Sequence, residues 1–224
     1  MPAQPIHHYA SRACMSLLRK ANGWAKWRRH HAAMRAFRSV DFAPGDIAID
    51  CGANVGEVTL ALAERGARVY AFEPNPPAFA ELRARTRDTL QVTCLQQAVA
   101  DQDGPVQLYL HRKHVDGDMS HAQGSSLMAT KHNLNRDHCV QVQAIDLAAF
   151  IQKLPRRVRL LKIDVEGLEA VLLNHLIGTG VIHRVDHVFC ETHEFKVPGL
   201  ARECRLLRRR LASSGLDHVN LDWH

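Results

Sequence analysis

The sequence predicts an α/β fold, a doubly wound and mostly parallel sheet. Three observations predict it. From residue 45 onward, short apolar runs alternate with segments of helical period. The joints between them are short, as right-handed crossovers between parallel strands require. The first apolar run, IAI, leads straight into a turn rich in small residues, DCGANVG at 50–56.

Each element has its own signal. DIAIDCG reads as a buried strand, and EVTLALAERG as a helix stopped by Gly66. ARVYAFEP is a second strand ended by Pro74. PPAFAELRARTRDT is a second helix with proline in its first turn. LQVTCLQQAVA reads as one third strand. DGPVQLYLH has the pattern of a β-hairpin arm, and CVQVQAIDLAAFIQKL that of a strand followed by a helix. VRLLKIDVEG is another buried strand and LEAVLLNHLIG the helix after it. VDHVFCETH is a strand, LARECRLLRRRLASSG a helix stopped by Gly215, and LDHVNLDWH a final strand.

Two segments stand apart. Residues 1–40 form a basic, helix-compatible extension carrying Trp24, Trp27 and Phe37, ahead of a main domain at 41–224. Its apolar side chains are expected to pack on the domain or on a second subunit, a possible homodimer. Nucleic acid and a membrane or partner surface are the alternatives. Within the domain, residues 101–140 form a polar insert without period, expected to be a lid over an acceptor.

Composition narrows the class. The chain has 224 residues, 46% of them hydrophobic, enough for one sizeable core, and only 6% aromatic, so aliphatic packing dominates it. Six cysteines without a C-x-x-C pattern argue against a disulfide framework and for the cytoplasm. No apolar run approaches the roughly 20 residues of a membrane span, and no secretory signal is expected. The net charge of +6 permits an acidic partner without naming one. Fifteen histidines invite a metal, but those of the insert (His111, His114, His121, His132, His138) lack ligand spacing, so no metal is expected.

The chemistry concentrates at the strand ends. Ligands of doubly wound sheets bind at the carboxyl ends of the strands. Gly52 and Gly56 are expected to let the backbone approach a ligand. Asn54 stands where a dinucleotide loop of the form G-x-G-x-x-G has glycine, and it tolerates a left-handed conformation. Glu73 ends the second strand, placed to accept hydrogen bonds from both ribose hydroxyls of an adenosine. Asp50 is wrong for a pyrophosphate and right for a cation, so charge favours S-adenosylmethionine over a nicotinamide dinucleotide. A cofactor-binding module without catalysis is a further alternative.

DCGANVGEVTLALAERGARVYAFEPNP, QGSSL and LLKIDVEGLEAVLL together resemble the FkbM family of S-adenosylmethionine-dependent methyltransferases, from about Asp41 to His193. The resemblance implies the Rossmann-like class I methyltransferase fold, a seven-stranded sheet whose last strand is antiparallel, near His224. It implies O-methylation of a sugar or polyketide-like small molecule. The absence of a recognisable RNA-binding motif makes nucleic acid an unlikely partner; an RNA or protein acceptor, bound by the basic N-terminal segment, is the alternative. Expected cofactor-binding residues are Asp50, Gly52, Asn54, Gly56, Glu73, Ala98 and Asp164. Expected catalytic residues are Asp164, Glu166 and His193.

The acids of KIDVEGLE have a second reading, as caps of the following helix. Lys162 is placed to pair with one of them or to touch the ligand. Glu169 lies three residues from Glu166 on about the same helical face. Glu191 and His193 share one face at the end of the fifth strand, for catalysis, acceptor binding or plain surface polarity. Ser125 and Ser126 fall in the segment expected to cover the acceptor.

Overall fold

A computed structural model describes residues 24–111, 125–127, 134–194 and 199–223. Residues 24–38 form helix α1. There follow β1 (Ile47–Cys51), α2 (Glu57–Glu64), β2 (Arg68–Phe72), α3 (Pro76–Thr86), β3 (Val92–Leu95), β4 (Ala98–Ala100), β5 (Gly104–His111) and β6 (Leu134–Asp146). Then come α4 (Leu147–Lys153), β7 (Val158–Ile163), α5 (Glu169–Gly178), a 3₁₀ turn (Val181–Arg184), β8 (Val185–Cys190), α6 (Leu200–Ser213) and β9 (Val219–Asn220).

The main sheet has the order β3-β2-β1-β7-β8-β9, and all its pairs are parallel. Period-two alternation assigns each strand residue to a face. Ile47, Ile49, Cys51, Leu161, Ile163, Val188 and Cys190 face a core built with α4, α5 and α6. Ala48, Val69, Leu160 and Phe189 face the opposite core, with α1 and α2. Helix α3 covers Ala71 through Leu82 and Phe79. The sheet is therefore doubly wound, as its alternating pattern predicts, and its strand order reverses between β1 and β7.

Two expectations about strands are corrected. LQVTCLQQAVA is two strands, not one: β3 pairs with β2, whereas β4 leaves for a second sheet of order β4-β6-β5. The small residues Ala98 and Ala100 pack there against Leu108, Leu110, Val142 and Ala144, a core of their own. The sheet expected from the family resemblance also differs. Among the described residues the main sheet has six strands, and the last, β9, runs parallel to β8 for two residues. Beyond Asn220 the chain leaves the ladder to bury Leu221 in one core and Trp223 in the other.

The hairpin arm is β5 paired antiparallel with β6. Between them, Ser126 bridges to Tyr109 by two backbone hydrogen bonds of 2.9 and 3.0 Å. The rest of the expected lid, and the side chains of the insert histidines, lie outside the described residues.

The described part of the N-terminal extension shares a core with the sheet. Phe37 stacks edge-on against Phe189 and lies 5.5 Å from Trp223, ring centre to ring centre. Arg65 donates to the Phe37 and Val40 carbonyls and so ties the end of α1 to α2. Trp24 and Trp27 contact each other but remain 65% and 52% exposed. Phe37→Ala should therefore cost about 3–5 kcal/mol in urea unfolding, and Trp24→Ala within about 0.5 kcal/mol. An equal loss at both would mean that the tryptophan pair is covered in solution, as by a second subunit.

Candidate functional site

The loop after β1 is shaped by two close approaches. The Gly52 and Ala53 N–H groups donate to the Phe72 carbonyl at 3.0 and 2.9 Å, which holds the loop over the end of β2. Gly52 has φ +77°, and a Cβ there would lie 1.8 Å from the Asp164 carbonyl oxygen. A Cβ on Gly56, φ +89°, would meet Leu82 Cδ1 at 2.7 Å. The glycines were expected to admit a ligand. Gly52 does line the cavity described below, but its missing side chain admits the β7–α5 turn, and that of Gly56 admits α3.

Asn54 explains why the loop dispenses with a middle glycine. It takes a left-handed conformation, φ +49°, and its backbone N–H donates to Glu73 Oε2 at 2.8 Å. The Asn75 N–H donates to the other carboxylate oxygen at 2.9 Å. Glu73 is thereby fixed at the end of β2 with 7% of its surface exposed. Burial pushes its carboxyl up, against the two N–H donors and Lys162, to about 7.

Lys162 is the next layer. It sits opposite Asp50 in the β1–β7 register, on the same sheet face, so the two side chains meet. Its Nζ lies 3.1 Å from Asp50 Oδ1 and 3.5 Å from Asp164 Oδ2, and it donates to the Gly52 carbonyl at 2.7 Å. The face of Trp223 is 5.7 Å away. Burial works against this ammonium, but the flanking aspartates outweigh it and raise its pKa. Asp50 also accepts from Thr59 Oγ1 at 2.7 Å and is fully buried. It braces Lys162 behind the loop and is absent from the cavity wall, where it was expected to meet a cationic ligand.

The turn after β7 carries the acids. Glu166 has φ +58°, and its carbonyl accepts from Ser126 Oγ at 2.6 Å. Glu169 turns inward, 1% exposed, and accepts from the Gly167 N–H at 3.0 Å and from His193 Nδ1 at 2.8 Å. That pairing was missed by helical-face reasoning, which placed Glu169 with Glu166. The contact is between elements remote in sequence, and no local pattern signals it.

His193, 1% exposed, has carboxylate oxygens around its other nitrogen. Glu166 Oε2 lies 3.0 Å from Nε2, Glu191 Oε1 3.5 Å and Asp164 Oδ1 3.8 Å. Burial alone would lower its pKa, but Glu166 and Glu169 lift it to about 10. Burial pushes the Asp164 carboxyl up, opposed by Lys162.

These side chains surround a cavity of about 310 Å³ at the carboxyl ends of β1, β2, β7 and β8. Of the expected site residues, Gly52, Asn54, Glu73, Ala98, Asp164 and Glu166 line it, as do Lys162, Glu191, Ser125 and Ser126. Asp50, Gly56 and His193 stand behind the wall. Sequence reasoning missed Leu108 and Trp223 in the wall. Leu108 belongs to an arm whose docking no local pattern reveals, and Trp223 was read as part of the final strand, which ends at Asn220. Chemically, the site offers a buried carboxylate for a diol at one strand end and a cluster of acids for a cation or a proton at two others.

A family model described as the Methyltransferase FkbM domain matches residues 50–215. The 31-O-demethyl-FK506 methyltransferase FkbM of Streptomyces tacrolimicus is 43% identical over 68 residues, 29% of this chain and 26% of that protein. The chain thus spans about a quarter of the length of the curated relative it matches. Among solved structures, precorrin-6y C5,15-methyltransferase from Geobacter metallireducens GS-15 overlaps with a TM-score of 0.38 at 10% identity, over 71% of this chain and 60% of that one. An rRNA methylase from Streptococcus thermophilus overlaps at 0.36 and 12% identity, over 90% and 81%. At these TM-scores the overlaps carry no inference. The family match covers most of the chain and both halves of the cavity, from the glycine loop to α6: the chain belongs to the FkbM methyltransferase family.

Proposed function

We propose that this protein transfers the methyl group of S-adenosylmethionine to a hydroxyl oxygen of a small molecule, a sugar or polyketide-like metabolite. The observation that carries the reading is one cavity with a buried, doubly braced Glu73 at one strand end and an acid cluster at two others. Glu73 accepts from the ribose hydroxyls, and the neighbouring acids suit the ammonium and sulfonium charges. The relative's name supports an oxygen acceptor, since it acts on a 31-O-demethyl compound. The five described cysteines are free, which suits a cytoplasmic setting. No described helix is long and apolar enough to cross a membrane.

The chemistry is an in-line displacement at the methyl carbon. The acceptor oxygen bonds to the methyl group as the carbon–sulfur bond breaks, and the neutral thioether leaves. Holding the three atoms in line supplies much of the rate. The acceptor proton must go to a base. Glu166 is that base, because its carboxylate lines the cavity, while His193 stands behind the wall with Nδ1 on Glu169. Asp164, shared with Lys162, orients the donor's charge.

Donor affinity should rise as the pH passes through about 7, because ionised Glu73 accepts from both ribose hydroxyls and the protonated acid does not. Lys162 and Asp50 are the other charges acting on it. Calorimetry should find Glu73→Gln weaker by about 10- to 100-fold at pH 8 and flat with pH; equal affinities would contradict the assignment.

Turnover tests the reaction. Isotope-labelled donor, offered with hydroxylated sugars and polyketides, should yield oxygen-methylated product. Glu166→Gln should lower the rate about 10²- to 10⁴-fold with donor affinity within a few-fold. Label appearing only in RNA or protein would favour a macromolecular acceptor instead. A silent Glu166→Gln with an inactive His193→Ala would make the histidine the base.

A further inference from the structure

We propose that Asp164, Glu191 and His193 bind a divalent metal cation of the Mg²⁺ or Mn²⁺ class at the wall of the methyl-transfer cavity. The expectation of no metal addressed the spacing of the insert histidines. These three residues belong to other elements and are brought together by strand register.

Parallel pairing sets Ile163 of β7 beside Cys190 of β8. The next residue of each strand, Asp164 and Glu191, therefore emerges side by side, and the Glu191 N–H donates to the Ile163 carbonyl at 3.0 Å. His193 lies two residues on, past the end of β8, with Nε2 3.5 Å from Glu191 Oε1. One ligand atom from each of the three lies within 4.8 Å of the others. Ligand atoms about 2.1 Å from an ion stand about 3–4 Å apart. The distances from His193 Nε2, 3.5 Å to Glu191 and 3.8 Å to Asp164, match that spacing.

The second observation is the state of His193 itself. Its Nδ1 is engaged by Glu169, whose same oxygen also accepts the Gly167 N–H. That arrangement fixes Nδ1 as the donor and turns Nε2 toward the carboxylates. Nε2 is buried and makes no hydrogen bond, although Glu166 Oε2 is only 3.0 Å away. Distance is satisfied and direction is not. A hydrogen bond puts an oxygen on the axis of the ring nitrogen. A metal site puts the ion on that axis and the other ligands around it; here Nε2 makes no hydrogen bond and has the oxygens of Glu166, Glu191 and Asp164 at 3.0, 3.5 and 3.8 Å. Lys162 does not supply the missing charge: it reaches Asp164 through Oδ2, at 3.5 Å, and is shared with Asp50 at 3.1 Å. Asp164 Oδ1 remains directed to the histidine side.

The donor set of two carboxylates and one imidazole, without thiolate, suits Mg²⁺ or Mn²⁺. Asp164 and Glu191 line the cavity, so open coordination positions would face the acceptor. An ion there lowers the pKa of a bound hydroxyl and holds it for attack on the methyl carbon. This consequence rests on the oxygen-transfer reading; the cation site itself does not. Glu169 is a positioning residue that acts through His193.

The test is Mn²⁺ binding to the full chain after chelation and dialysis, read as loss of the free-ion electron paramagnetic resonance signal. We expect about one Mn²⁺ per chain, competed by Mg²⁺. His193→Gln and Asp164→Asn should abolish it, and Glu169→Gln should weaken it about 10- to 100-fold. Asp88→Asn, an exposed site elsewhere, should leave it unchanged. Circular dichroism identifies any variant that fails to fold, and Glu191→Gln then provides the replacement. Binding that is absent, or equal in wild type and in folded variants of the three ligands, overturns the site. Mn²⁺ bound without oxygen-methylated product would retain the site and remove the oxygen-transfer reading. Product formed without bound Mn²⁺ would do the reverse.

Discussion

The buried ammonium of Lys162 is the constraint on which the site depends. It joins Asp50 and the Gly52 carbonyl on β1 and its loop to Asp164 after β7. These strands flank the point where the strand order reverses, so the lysine closes the floor of the cleft that the topology opens. Taking an ammonium out of water costs several kcal/mol, and only close pairing offsets it. Two carboxylates, the carbonyls of Cys51 and Gly52 and the face of Trp223 provide that pairing. Removing any one partner leaves charge buried without compensation, which makes the geometry of the two loops interdependent.

Strain follows from bringing those loops so close. The Asp164 carbonyl occupies the space where a side chain on residue 52 would be. Asn54 and Glu166, both non-glycine, take left-handed conformations in the facing loops, each at a cost of about 1–3 kcal/mol. Each is held by a contact useful to the site: Asn54 by its N–H on Glu73, and Glu166 by Ser126 on its carbonyl. The strained turn after β7 thus aims Glu166 into the cavity, and the buried Glu169 beneath it aims His193.

The main sheet was legible in the sequence because strands buried on both faces read as continuous apolar runs and the helices between them have their own period. The pairing of Asn54 with a left-handed turn and the place of Glu73 were legible for local reasons. What failed was long-range. LQVTCLQQAVA is apolar without a break, and nothing local says that Ala98 must change sheets to reach Leu108 and Ala144. Asp50 looks like a ligand for a cation; the cation turned out to be Lys162, its register neighbour on β7. Gly56 looks like a ligand contact and instead makes room for Leu82. His193 and Glu169 were each singled out, but their hydrogen bond exists only once α5 and the end of β8 are packed together.

The most direct measurement of the account is the urea unfolding of Lys162→Met alone and combined with Asp50→Asn, with donor affinity measured on each folded protein. Breaking a buried ion pair from one side should cost about 3–5 kcal/mol. Neutralising Asp50 as well should recover part of that loss, while donor affinity stays reduced, because the glycine loop and Asp164 lose their common anchor. A Lys162→Met protein as stable as wild type, binding the donor equally well, would contradict the claim that this lysine holds the site together.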